Sequence, residues 1–236
     1  MYEYELEAKL LYEFNKHGAK EVSCKSIIAS GSNSCTLHYS RNNSIIKNGD
    51  LVLIDACCEL DNYASDITRT FPANGKFSSP QLALYEIVLE AQKSAIDKTI
   101  AGNNFIQPHE TAVKIIVQGL IDEKILNGTV EEIIENETYK YIFPHNTSHW
   151  IGIDVHDVGN YYKLNDGRRI WLTLVSGMLL TIEPGIYIRP SHNIPSIFWN
   201  IGIRIEDTLL INEKGNEIIS KNAPVDPSTI ENIMHL

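Results

Sequence analysis

Apolar residues along this chain change their period several times, and those changes divide it into elements. Leu6, Leu10, Leu11 and Phe14 form a stripe at helical spacing, and His17-Gly18 supplies a C-terminal stop. Apolar runs at residues 27–29 and 36–39 predict short strands. Residues 51–58 and 63–71 predict two longer strands joined by a tight connection at Asp61-Asn62. Ser78-Ser79-Pro80 opens a helix with a capping hydroxyl and a proline in the first turn. That helix runs toward Gly102, with Leu82, Tyr85, Leu89 and Ile96 on one face. A second helix begins near Pro108, where Val113, Ile116, Val117, Leu120 and Ile121 match the i, i+3, i+4, i+7, i+8 template. Beyond Phe143 the pattern returns to strands and loops. Ile201, Ile203 and Ile205 alternate there with Gly202, Arg204 and Glu206, and residues 230–235 predict a closing helix. Strands, then helices, then strands again predict an α+β fold with a mostly antiparallel sheet rather than a βαβ repeat.

Composition narrows the function classes. The chain has 236 residues, of which 43% are hydrophobic and 21% charged, the balance of a globular protein and not of a disordered one. A chain of this length buries roughly 70% of its unfolded surface and needs no disulfides to hold a core. Its net charge of −10 argues against a general nucleic-acid binder and against attachment to an anionic membrane, both of which need a positive face. The four cysteines, Cys24, Cys35, Cys57 and Cys58, form no CxxC pair, so a reduced, cytoplasmic chain without a zinc knuckle is expected. The acidic start at Tyr2-Glu3-Tyr4-Glu5 lacks the apolar segment of a secretory signal. Residues 170–182 carry no charge, but that stretch is too short for the ~20 residues a membrane helix needs, and Ser176-Gly177 interrupts it. Two buried strands around a turn are expected there.

The informative residues are acids lodged in apolar strands. Asp55 sits in Leu51-Val52-Leu53-Ile54-Asp55-Ala56, Glu183 ends Leu179-Leu180-Thr181-Ile182-Glu183, and Glu206 follows Ile203-Arg204-Ile205. A buried carboxylate costs several kcal/mol unless a cation or a donor compensates it. Three of them suggest one shared compensator. Asp66 is a fourth candidate, because its distance along the chain from Asp55 places the two roughly opposite each other in a hairpin. Opposed like charges repel, and a metal ion between them would convert repulsion into chelation. Spacing alone leaves the alternative equally open, with Asp66 facing solvent and Asp55 facing a helix N-terminus.

His145, His149 and His156 cluster around Pro144-His145-Asn146-Thr147-Ser148-His149-Trp150. Pro144 and Gly152 argue against a regular helix, and the glutamate of an HExxH motif is missing. Isolated histidines are usually satisfied core or surface residues, but a cluster of this density leans toward ligation. Four carboxylates and one imidazole form an oxygen-rich set suited to Mn²⁺, Co²⁺, Fe²⁺ or a pair of Zn²⁺. Such a set can hold two divalent ions, a common hydrolase arrangement.

Five stretches carry a family resemblance: Leu53-Ile54-Asp55-Ala56; Ser65-Asp66-Ile67-Thr68-Arg69-Thr70-Phe71-Pro72; Ser148-His149-Trp150-Ile151-Gly152-Ile153-Asp154-Val155-His156-Asp157; Thr181-Ile182-Glu183-Pro184-Gly185; and Gly202-Ile203-Arg204-Ile205-Glu206-Asp207. Together, in this order, they make the chain resemble the Xaa-Pro aminopeptidases (aminopeptidase P). These belong to the pita-bread metallopeptidases, with prolidase and methionine aminopeptidase. The resemblance implies a mostly antiparallel curved sheet covered by helices, forming a single catalytic domain over residues 1–236. It implies Asp55, Asp66, His149, Glu183 and Glu206 as ligands of two divalent metal ions, with Mn²⁺ the first choice. Asp66 and Glu206 would bridge the metals, and a bridging water or hydroxide would attack the scissile carbonyl. Glu183 would also transfer the proton. His38, His145 and His156 match substrate-contact and supporting histidines, with His145 beside the proline ring. Arg204 would orient the Glu206 carboxylate on the same strand face. The implied partners are peptides with proline second, with no nucleic acid, no membrane and a homo-oligomer left open.

The chain departs from the family's pattern in several places. It starts without the family's N-terminal domain and opening helix, so an uncovered apolar patch and lower stability and activity are expected. Cys57 stands where glycine is usual, on the face of Asp55, which puts a thiol near the metals. Cys24 stands where an aromatic is common. Asn146-Thr147 replaces a glycine-containing pair, and Leu172 replaces an arginine. The rival expectations are an Xaa-Pro dipeptidase and a non-catalytic peptide-binding domain; the filled ligand positions count against the latter.

Overall fold

The computed structural model describes residues 1–235. In chain order the regular elements are α1 (Glu3–Lys16), β1 (Ile27–Ser30), β2 (Leu51–Ala56), β3 (Glu59–Leu60), β4 (Tyr63–Ala64), β5 (Ile67–Pro72), α2 (Ser79–Lys98), α3 (Gln107–Asp122), α4 (Val130–Glu135), β6 (Tyr162–Asn165), β7 (Arg168–Trp171), β8 (Leu179–Ile182), β9 (Gly185–Ile188), β10 (Ile201–Arg204), β11 (Asp207–Asn212), β12 (Gly215–Ile218) and α5 (Pro227–Met234). All strand pairings among the described residues are antiparallel. Two three-stranded sheets, β1-β2-β5 and β12-β11-β8, frame the two-stranded β9-β10 ladder. The helix-after-strand order expected for an α+β fold is what forms.

The helices follow from their caps and stripes. Ser78 and Gln81 close a capping box at the start of α2, with the Ser78 amide donating to Gln81 Oε1 at 2.9 Å. Thr99 ends that helix short of Gly102 by turning its hydroxyl back to the Ala95 carbonyl at 2.9 Å. Leu84, Tyr85, Val88, Ala91 and Ala95 of α2 pack with Val113, Ile116, Val117 and Leu120 of α3 over Ile182, Ile186, Ile203 and Leu209 of the strands and over Ile205 in the link after β10. This is the main core, and each fully buried aliphatic side chain there contributes about 1.5–3 kcal/mol. The α1 stripe of Leu6, Leu10, Leu11 and Phe14 is only half-buried.

Several expectations are corrected. Residues 36–39 form no strand, because a 3-10 turn at Gly31–Cys35 carries the chain away from β1 before a ladder can continue. Helix α4 has no counterpart in the sequence expectations; its six residues are too few to show helical periodicity. The stretch 170–182 is not two buried strands: Ile170 is exposed on the protruding β6-β7 hairpin, and only β8 is buried. The hairpin from β2 to β5 turns at Asp61 and Asn62, both in the left-handed region at φ 52° and 64°. The turn is symmetric about those two residues, so Asp55 pairs with Thr68 and not with Asp66. Asp66 lies one step along the same face, just ahead of the start of β5.

Gly202 shows how closely the site's scaffold is packed. Its amide donates to Ser34 Oγ at 3.0 Å, and a Cβ there would run into the Ser34 backbone. The obstruction is main chain and cannot rotate away. Gly202→Ala should therefore destabilise the fold by about 3 kcal/mol, the upper part of the overpacking range. Urea unfolding checks this; a loss below about 0.5 kcal/mol, as for an ordinary surface change, would contradict it.

Candidate metal centre

Both framing sheets deliver acids to one cavity. Asp55 lies in β2 and Asp66 just ahead of β5; Glu183 directly follows β8, and Glu206 sits in the two-residue link between β10 and β11. These four line a cavity of about 520 Å³ together with His38, His145, His149, His156, Tyr161 and Arg204. A larger groove of about 780 Å³, lined by Ser30, Asn33, Ser44 and Asn200, contains none of them.

His149 occupies the middle of the acids. Its Nδ1–H donates to the Trp150 carbonyl at 3.0 Å, which leaves Nε2 as the free lone pair. Nε2 lies 3.4 Å from Asp66 Oδ2, 3.6 Å from Glu183 Oε1 and 3.9 Å from Glu206 Oε1. Donor atoms of Asp66, His149 and Glu206 all lie within 4.8 Å of one another. Glu206 Oε1 is buried and has no hydrogen-bond partner among the described residues. An orphaned carboxylate oxygen at such a cost calls for a cation. The donor set of carboxylates and one imidazole, turned by a carbonyl behind it, therefore fits divalent metal ions.

The electrostatics agree. Burial and the neighbouring carboxylates push Glu183 up to about 8, with His149 and Arg204 opposing. Burial and the charge of Asp55 raise Asp66, and burial and Asp66 raise Glu206. Burial and Arg204 push the His145 imidazole down to about 3, so it is neutral.

Arg204 works differently from the sequence expectation. Its direct ion pair is to Asp55, Nη2 to Oδ2 at 2.6 Å, and not to Glu206. It reaches Glu206 through Thr68: Arg204 Nε donates to Thr68 Oγ1 at 3.1 Å, and Thr68 Oγ1–H donates to Glu206 Oε2 at 2.7 Å. The reason is that Glu206 lies past the end of β10, where the chain bends toward β11. Arg69 fixes that bend by donating to the Glu206 carbonyl at 2.6 Å while pairing with buried Asp207 at 2.7 Å.

Three contributors escaped the sequence. Tyr187 receives an Arg204 Nη1–H bond at 3.1 Å and meets His145 Nε2 at 2.8 Å. Because His145 Nδ1–H donates to the Asn146 carbonyl at 2.7 Å, the Tyr187 hydroxyl is the donor to Nε2. Thr68 is the bridge just described. His109, pushed down to about 4 by burial, bonds buried Thr147 Oγ1 at 2.8 Å, and the Thr147 carbonyl accepts the Glu183 amide at 2.8 Å. All three act through contacts far apart in the chain. His38 and His156 are exposed on the cavity rim, and the His156 ring stands edge-on to His149 at 4.3 Å between centroids. Leu172 uses its backbone to tie Tyr161 and Phe105. Arg168 and Arg169 are exposed on the β6-β7 hairpin, away from the cavity, with the Arg169 guanidinium 4.8 Å over the Tyr162 ring.

The cysteines also differ from expectation. Cys24 and Cys57 form a disulfide, while Cys35 and Cys58 are free. Strand β1 pairs with β2 so that Ile27 faces Asp55, and the chain just before β1 therefore runs beside the chain just after β2. Cys57 does share the face of Asp55, but its sulfur is bonded to Cys24 and is not a thiol.

The model of metallopeptidase family M24 matches residues 1–213. The Xaa-Pro aminopeptidase of Haemophilus influenzae is 49% identical over 234 residues, which are 99% of this chain and 53% of the relative. That of Escherichia coli is 45% identical, over 99% of this chain and 52% of the relative. An alanine variant of Escherichia coli aminopeptidase P in complex with substrate superposes with a TM-score of 0.94 at 44% identity, covering 100% of this chain and 52% of that one. Pseudomonas aeruginosa aminopeptidase PepP superposes with a TM-score of 0.95 at 47% identity, covering 100% and 52%. The fold is the pita-bread fold, and the chain spans about half the length of the curated relatives it matches.

The raised acids set a pH dependence. Unfolded, Glu183 ionises near its ordinary 4.5; folded, it keeps its proton to about 8. Stability from this group is complete below the lower value and lost as pH rises through the upper one, and Asp66 and Glu206 act in the same direction. After chelation, the thermal midpoint should be lower at about pH 8 than at about pH 5, and added Mn²⁺ should raise it more at the higher pH. An equal Mn²⁺ effect at both values would contradict this assignment.

Proposed function

The chain belongs to metallopeptidase family M24, and on that premise we propose that it is a metal-dependent aminopeptidase releasing the residue ahead of an N-terminal Xaa-Pro bond. The observation that carries the proposal is the convergence of Asp66, His149 and Glu206 donor atoms within 4.8 Å, with Glu206 Oε1 unpartnered. Asp55, Asp66, His149, Glu183 and Glu206 would hold two divalent ions, Mn²⁺ by the hardness of the set. Bound there, such ions acidify water and polarise a carbonyl.

The chain's own residues supply the rest. An Xaa-Pro bond has no amide N–H, so a site that grips its substrate by strand pairing loses a donor there. This cavity instead offers acids for a free amino terminus and imidazole faces for a ring. Its volume of about 520 Å³ suits a short peptide end. Neutral His145, held by Asn146 and Tyr187, presents a ring fixed in one orientation for packing against proline. His156 and His38 stand on the rim, where each can donate to the peptide carbonyls that cross it. Glu183, 3.6 Å from His149 Nε2, would be ionised beside bound cations and could then take a proton from the attacking water and pass it to the proline nitrogen. Arg204 holds the Asp55 carboxylate in place through the 2.6 Å pair.

The test is cleavage of an Xaa-Pro-Xaa tripeptide with Mn²⁺, beside an Xaa-Pro dipeptide and a Met-Ala peptide. The tripeptide should be cleaved and Met-Ala spared, and Glu183→Gln should lower kcat by about 100-fold or more, the usual worth of a proton-transfer group. Faster cleavage of the dipeptide would assign a dipeptidase instead. Release of methionine from Met-Ala at a comparable rate would overturn the proline preference.

A further inference from the structure

The fold brings Cys24 and Cys57, 33 residues apart in the chain, into contact as a disulfide. Both cysteines line the metal cavity. Cys57 is 1% exposed, and its Sγ lies 3.7 Å from Asp55 Oδ1 and 3.6 Å from Asp66 Oδ1. Asp55, Cys57 and Asp66 thus form a second group of donor atoms within 4.8 Å of one another, sharing Asp66 with the first. A sulfur in this position has two states of different chemistry. In a disulfide it is a weak ligand and leaves the pocket to oxygen and nitrogen. As a thiol it is a soft donor placed between two carboxylates that face the cations.

The geometry points to a redox-controlled ligand: reduction of Cys24–Cys57 adds the Cys57 sulfur to the metal pocket and shifts its preference from hard Mn²⁺ toward thiophilic ions such as Zn²⁺ and Co²⁺. This inference rests on the assignment of the pocket as a metal centre. Attack falls on Cys24, which is half-buried, and not on the enclosed Cys57. One thiolate of a dithiol reductant bonds to Cys24 Sγ, the Cys24–Cys57 bond breaks, and Cys57 leaves with the electron pair and takes a proton. The second thiol of the reductant then displaces Cys24. The protein gains two electrons and two protons, and the dithiol closes to its own disulfide.

The chain can be tested as it stands, air-oxidised and after treatment with dithiothreitol that is removed anaerobically. Alkylation in denaturant followed by mass spectrometry should count two free thiols before reduction, on Cys35 and Cys58, and four after it. Four thiols in the oxidised protein overturn the inference. Titration with Co²⁺ should give a sulfur-to-cobalt charge-transfer band in the near ultraviolet only in the reduced protein. Competition between Zn²⁺ and Mn²⁺ should shift toward Zn²⁺ by at least about tenfold on reduction, the scale of one added soft ligand. Cys24→Ser, which frees Cys57 permanently, should show the band without reductant, and Cys57→Gly should show neither band nor shift under any condition. An absent band in both the reduced protein and Cys24→Ser, or an unchanged Zn²⁺/Mn²⁺ ratio, overturns it. A protein that binds both ions equally well in both redox states sinks this inference alone; one that binds no divalent ion in either state sinks the metal centre with it.

Discussion

Four carboxyl groups converge in a cavity where, among the described residues, one guanidinium joins them, and much of the site's architecture answers that imbalance. Arg204 spends its Nη2 on Asp55, its Nη1 on Tyr187 and its Nε on Thr68, so its charge reaches three parts of the cavity. Asp66 and Glu206 are left facing each other with raised affinities for protons. A protein that only had to fold would replace such groups with apolar ones at little cost or at a gain. Their retention in a buried pocket, with one oxygen wholly unpartnered, makes sense as a cation's binding energy deferred until the cation arrives.

The placement of the acids at or just beyond strand ends explains how they can converge. Only Asp55 lies inside a strand. Asp66, Glu183 and Glu206 occupy the residues just outside β5, β8 and β10, where the backbone has left the ladder and a side chain can be aimed off the sheet normal. The surrounding structure then fixes each bend. The Glu206 amide donates to the Thr68 carbonyl at 3.0 Å, the Glu183 amide to that of Thr147 at 2.8 Å, and Thr208 Oγ1 to that of Asp66 at 3.1 Å. Strand ends are usually the softest part of a sheet; here each is tied across to another element.

The same contrast decides what could be read from the sequence. Acids inside apolar runs were visible, because a local pattern carries the cost of burying them. So were the capped start of α2, the full stripe of α3 and the turn at Asp61-Asn62, all set by neighbours a few residues apart. The hairpin register was misplaced by two positions, because the loop centre, and not the spacing of the acids, fixes which residues face each other. Arg204 was placed on the correct face but given the wrong partner, since alternation says where a side chain points and nothing about which acid bends to meet it. Tyr187, Thr68 and His109 act through contacts 17, 136 and 38 residues distant in the chain, and no periodic signal spans such gaps.

The disulfide belongs to this last class and shows why substitutions should be weighed in space. Taken singly, Cys57 places sulfur among the carboxylates, and Cys24 places a second sulfur in the cavity wall. Each alone looks like damage. The ladder that sets Ile27 against Asp55 makes them neighbours, at 5.4 Å between Cα atoms, within the span a disulfide bridges. Bonded to each other, they keep the sulfur out of the oxygen-rich set while crosslinking the strand that carries Asp55 to the chain entering β1. A change that would soften the metal site is thereby masked by its neighbour, and the hardness of the centre becomes a property of the pair.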